Sequence, residues 1–261
     1  MLKLRDITKQ MIARLEQRSG CHVHVMEDPK LDTLSKIKIA RGNMPAHIIS
    51  YKPGLKNESP DYSIIFQCAM ALRVFDCAPD ERRLIAASPT ANESLQDILV
   101  RPNGIAEKFQ LSGSDLDAFT GKLVDGLIAH LCSIPLSLRV SETISIDHPE
   151  LLDLEVVHVE RELLINKETL SAQIRELMPP QVFDPTQAIS SAYVHFWAER
   201  LERPEIVNPY RLAGFESQGI ELLKIYEGIP GDPANDCELI DAWAEYLGIR
   251  DWYTWLPYQA P

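Results

Sequence analysis

YSIIFQCAMALRVF, residues 62–75, is the stretch on which the fold turns. Its apolar side chains recur on nearly every side, and it is too long for a buried strand, so the pattern predicts a helix buried all round. Upstream, Leu4, Ile7, Met11, Ile12 and Leu15 recur at helical spacing, with Gly20 as a C-terminal stop. Between these helices lie three short strand-like runs, at 21–26, 37–40 and 46–51. Turn residues separate them, among them Asp28-Pro29 and Gly42-Asn43. The expected order is therefore helix, three strands, helix.

Beyond residue 80 the signals are almost all helical. Helices are expected over 92–99, closed by Pro102, and over 115–131, capped by Ser114. Others are expected over 147–164, 168–177, 186–201, 215–227 and 236–247, the last stopped by Gly248. The Pro-rich stretch 178–185 is the strongest break and a candidate sub-boundary. The class read from this pattern is α+β: an αβββα core over 1–90, followed by a larger helical region over 91–261.

The 261 residues are 45% hydrophobic and 25% charged, the make-up of an ordinary globular chain. The most apolar stretch, 123–138, contains Asp125, His130 and Pro135, so no membrane span is expected. The opening MLKLRDITKQMIARLEQ has no apolar core region, so no secretory signal is expected either. Cysteines at 21, 68, 77, 132 and 237 form no CxxC, and the simplest reading is reduced thiols in a cytoplasmic protein. Residues 1–110 carry 16 basic and 13 acidic residues, and the remainder 10 and 25. So acidic a C-terminal part disfavours nucleic acid as a partner. Phosphate loops, GxGxxG and GxSxG elbows are absent from the sequence.

The αβββα order and the buried helix together resemble the core of zincin metallopeptidases, in detail the ImmA/IrrE-type branch. In that family the helix carries H-E-x-x-H, whose two imidazoles share one helix face and bind zinc while the Glu polarises the bound water. Placed in that register, Gln67 stands at the first His, Cys68 at the Glu and Ala71 at the second His. DERRLIAASP, residues 80–89, is similar to the family's next helix and puts Glu81 or Asp80 at the acidic ligand's position. The resemblance covers residues 1–90 and rests on element order and helix character. Ala71 offers no donor atom, Gln67 is a poor zinc ligand and Cys68 cannot act as a carboxylate base. The resemblance thus implies a core without its zinc, no cofactor, and a non-catalytic binding or regulatory role. Gln67, Cys68, Ala71 and Glu81 would line the inherited cleft, and the partner would be another protein or a second copy of the chain.

Competing readings are enzymatic or structural. Cys68 with His47 as base would be a thiol pair, though a free Cys on an apolar helix is more often a small buried hydrophobe. Glu155, His158 and Glu162 share one helix face, and His195 with Glu199 makes a second i, i+4 pair. A di-iron bundle needs Glu-x-x-His on two helices, and only Glu155–His158 meets that spacing. His22 and His24 share a strand face, with Cys21 on the other. Trp243, Tyr246, Trp252, Tyr253, Trp255 and Tyr258 crowd the C-terminal tail. They would either seal the helical body or form a protein–protein interface, including that of an oligomeric scaffold.

Overall fold

The computed structural model describes residues 4–31, 33–53, 60–101 and 104–261. Pro102 lies outside the described residues. The chain divides into two compact units. The first comprises Met1–Leu84, Arg139–Glu162 and Pro257–Pro261; the second comprises Ile85–Leu138 and Leu163–Leu256. The unit that holds the αβββα segment therefore also draws in a later helical stretch and the last residues of the chain.

The first unit opens with α1 (Asp6–Ser19). Gly20 ends it at φ 74, and its N–H donates to the Glu16 carbonyl at 2.8 Å. That left-handed backbone is one a side chain disfavours. Strands β1 (His22–Glu27), β2 (Ser35–Lys38) and β3 (Ala46–Tyr51) follow, then α2 (Asp61–Asp76). The expected order of elements is the order formed. In the sheet β3 is central, parallel to β1 and antiparallel to β2, with His24 opposite Ile48 and Ile37 opposite Ile49.

Alternation along β1 turns Val23 and Val25 to the core and leaves His22, His24 and Met26 exposed. The core forms around α2, where Ile64, Ile65, Cys68 and Ala71 have no exposure at all. Leu15 of α1 and Ile49 of β3 pack with them, as do Val140, Ile144 and Leu151. At the N-terminus of α2, the buried Asp61 carboxylate accepts from the Thr8 hydroxyl and, at 2.9 Å, from the Arg5 N–H. This ties α1 to α2 at the helix end where the dipole favours an anion. At the other end Arg82 donates to the carbonyls of Phe75 (3.0 Å) and Cys77 (3.3 Å), which a helix C-terminus leaves unpaired.

The helix expected over 80–89 is not formed. Asp80 and Glu81 lie in a turn, and the next element is strand β4 (Arg83–Ala87). Pro89 explains this locally. It forces Ser88 into extended backbone (φ −79, ψ 139), so a helix cannot run up to it, and the few residues after Pro79 are too short to form one.

From β4 the chain enters the second unit, whose helices are α3 (Pro89–Leu99), α4 (Ile105–Lys108) and the start of α5 (Gly113–Asp147). After α6 (Leu152–Glu168) come α7 (Ala172–Leu177), α8 (Pro180–Arg200), α9 (Asn208–Ala213), α10 (Glu216–Gly228) and α11 (Asp236–Tyr246). Strand β5 (Tyr253–Pro257) pairs with β4 in a two-stranded sheet.

Two helices overrun their expected limits. α5 continues through Pro135 to Asp147 instead of stopping near 131. An interior proline costs about 3 kcal/mol, but Leu138, Val140 and Ile144 beyond it are each at most 2% exposed and contribute about 1.5–3 kcal/mol apiece. Of the stretch 178–185 only Met178 and Pro179 connect two helices, and α8 starts at Pro180 rather than 186. Pro180 occupies the first turn of α8, where a missing N–H is harmless, and Val182 and Phe183 both donate to the Pro179 carbonyl at 2.9 Å. By length and composition α5 could cross a membrane, and 50% of its apolar window is buried inside the protein.

Candidate functional site

The four residues expected to line a cleft are placed differently from one another. Gln67 is half-buried on α2, and its Nε2 donates to Ser35 Oγ at 3.0 Å, at the start of the edge strand β2. Cys68 and Ala71 follow it on α2 with zero exposure, inside the core. Burial, and secondarily the charge of Glu16, pushes the Cys68 thiol from 9.0 up to about 12. Glu81 is exposed on the turn after α2, where its N–H donates to the Ala78 carbonyl at 2.9 Å.

His47 is fully buried on β3, edge-on to the Phe75 ring at 5.4 Å. Its Nδ1 accepts the Ala40 N–H at 2.9 Å, which assigns the ring proton to Nε2. Nε2 has no hydrogen-bond partner among the described residues. The lone pair that a general base needs is thus held by a backbone amide, and burial lowers the imidazole's pKa. A thiol held protonated and a base already occupied do not make a nucleophilic pair.

Glu155 and His158 of α6 do meet α2, within a network that the sequence could not display. Glu155, 1% exposed, accepts from the Tyr62 hydroxyl through Oε1 and from Ser145 Oγ through Oε2, both at 2.8 Å. His158 sets Nδ1 3.3 Å from Ser63 Oγ and Nε2 3.5 Å from Glu162 Oε1. Its ring packs against those of Tyr62 and Phe66, at 5.1 and 5.8 Å. Burial first, then the Glu155 charge, raises the Tyr62 pKa well above its usual range. Every polar atom of this pair is engaged by a different side chain. Among the described residues no group of three or more His, Cys, Asp and Glu is placed to hold a metal.

This network fastens α6 to α2. Tyr62→Phe is expected to cost about 2 kcal/mol, the worth of a hydrogen bond to a charged acceptor, measured by urea denaturation. Tyr62, Ser145 and Ser35 were missed as partners because Tyr62 and Glu155 are 93 residues apart, and Ser35 and Gln67 32 apart. No local periodicity signals such pairs.

The aromatic tail divides. Trp243 and Tyr253 are buried, at 0% and 3%, so neither forms a surface of the protein. Asp241 collects Tyr253 OH (2.6 Å), Trp255 Nε1 (2.8 Å) and Arg250 (3.1 Å) in the second unit. Tyr258 belongs to the first unit, where its hydroxyl donates to the Ala40 carbonyl at 2.8 Å and its ring meets Phe75. Trp252 and Trp255 are half-buried. His22 and His24 stay exposed on β1, with His22 Nδ1 3.4 Å from Glu16.

No family model matches this chain, and neither a curated protein nor a solved structure matches it.

Proposed function

We propose that this protein is a non-catalytic binding or regulatory protein, built on a metallopeptidase-like αβββα core without a zinc site, and that it acts on another protein or on a second copy of itself. The observation that carries this reading is the use made of the α2 face. A zincin helix needs two imidazoles and a carboxylate reaching a metal that water can also reach. On α2 the corresponding positions hold a carboxamide bonded to Ser35, a protonated core thiol, and a methyl group with no exposure. Beside it β2 has β3 as its only strand partner among the described residues, with Lys36 and Lys38 exposed. An open strand edge of this kind can pair with an extended segment of a partner.

Elemental mass spectrometry on the full chain, purified with and without added zinc, is the test. Well under one equivalent is expected in both preparations. One zinc, or two irons, per chain would overturn the reading and return attention to the histidine–glutamate pairs.

A further inference from the structure

The second unit contains an open trough of about 740 Å³ between α8, α10 and the 3-10 turn Pro204–Val207 that precedes α9. Its two long walls are regular. α8 contributes His195, Ala198 and Glu199, the turn after it adds Glu202, and α10 contributes Ile220, Leu223, Lys224 and Glu227. The α10 set falls at i, i+3, i+4 and i+7 and the α8 set at i, i+3 and i+4, the spacing with which a helix meets another helix. Along α10 this stripe is about 10 Å long, and the trough is open on the side where a third helix would pack.

Chemistry along the seam is divided between floor and rim. Val207 and Ala198 are buried, Leu223 half-buried and Ile220 38% exposed, which makes an apolar floor. On the rim, Glu199, Glu202 and Glu227 are exposed and have no ion pair among the described residues. The cations that also line the trough are already matched: Arg211 with Glu216 at 2.7 Å, and Lys224 with Glu221 at 2.7 Å. Nε2 of His195 is buried against this wall with no hydrogen-bond partner, and burial lowers the imidazole's pKa. An unbalanced acidic rim over an apolar floor calls for apolar residues flanked by Lys or Arg. The trough is too open to enclose a small molecule as ligand cavities do.

From this geometry we propose that the trough is a docking site for a basic amphipathic helix of a partner protein, its apolar stripe on Ile220 and Leu223 and its cations on Glu199, Glu202 and Glu227. The proposal draws nothing from α2 or from the metallopeptidase-like core, so it stands or falls separately from the function proposed above.

The test uses the full chain and a fluorescein-labelled synthetic helix of alternating Leu and Lys at helical spacing, followed by fluorescence anisotropy. Saturable binding is expected, with no binding of the Leu/Glu analogue. Glu199→Lys with Glu227→Lys is expected to weaken it about tenfold or more, since two rim contacts turn repulsive. Glu93→Lys with Glu245→Lys changes net charge equally at exposed sites outside the trough and is expected to cost less than about threefold. Ile220→Ser should weaken binding several-fold with no change in charge. Unchanged thermal melting shows each variant folded. Absence of saturable binding overturns the proposal, as does equal weakening in the two charge variants. Displacement of the helix by spermidine at matched charge, with Ile220→Ser neutral, would reassign the trough to small polycations.

Discussion

Iodoacetamide at neutral pH is expected to modify Cys68 in the native chain about a thousandfold more slowly than a small free thiol. The thiolate is the reactive form, and each pKa unit above the ambient pH removes a factor of about ten of it. Raising the thiol from 9.0 to about 12 therefore removes about three powers of ten, before zero exposure further restricts access. Peptide mapping by mass spectrometry reads the rate, and denatured chain should restore an ordinary one. A native rate matching the free thiol would revive the reading in which Cys68 works with His47. The same shift has a sign for stability. Between pH 9 and about 12 the unfolded chain releases a proton that the native thiol keeps, so Cys68's contribution is intact below pH 9 and lost as pH rises through that window. The raised Tyr62 hydroxyl acts in the same direction.

Gly219→Ala is expected to be the most damaging single-methyl substitution among the glycines of α5 and α10. Gly219 of α10 packs directly against Ser191 of α8. A Cβ there would sit 2.4 Å from Ser191 Oγ and 2.8 Å from the Ser191 Cβ and backbone carbonyl carbon. Contacts that short force α8 and α10 apart, and both are core helices of their unit. Overpacking of this kind costs about 3 kcal/mol or more, which in a chain of this size lowers Tm by about 6–12 °C. Gly126→Ala is the contrast: nothing lies within 4 Å of its Cβ in the middle of α5, so the better helix propensity should stabilise by about 0.5–1 kcal/mol. Ser191→Gly should rescue Gly219→Ala only in part, because the backbone carbon of residue 191 stays in the way. Calorimetry on the four proteins separates these outcomes. If Gly219→Ala melts with the wild type, α8 and α10 do not approach as described. The trough proposed above would lose its walls with them.

Much of the fold was legible from local signals. Gly20 and Gly248 end helices in left-handed backbone, at φ 74 and φ 70, where the periodic apolar patterns stop. The three strands of the first sheet lie within two residues of their expected limits, because alternation and turn residues act over a few residues. The failures share a cause. Local signals end one helix at 131 and place a break over 178–185, yet Pro135 and Pro185 both lie inside helices that long-range burial holds together. A helix over residues 80–89 is expected only from the resemblance to the metallopeptidase core, and 83–87 instead pair with a strand near residue 255 that has no strong local signal of its own.

For the candidate site the division is sharper. The residue types alone determined that α2 lacks a zinc ligand set, since no tertiary arrangement can give Ala71 a donor atom. They also determined the αβββα order and the acidity of the C-terminal part. Only the tertiary structure decided that Cys68 and Ala71 are core, that Gln67 is spent on Ser35, and that Glu155 answers to Tyr62. It also decided that the carboxylates of Glu199 and Glu227 face the same trough. Periodicity along a chain reports which face of an element is apolar; which other face it meets, tens of residues away, is set by packing the whole core at once.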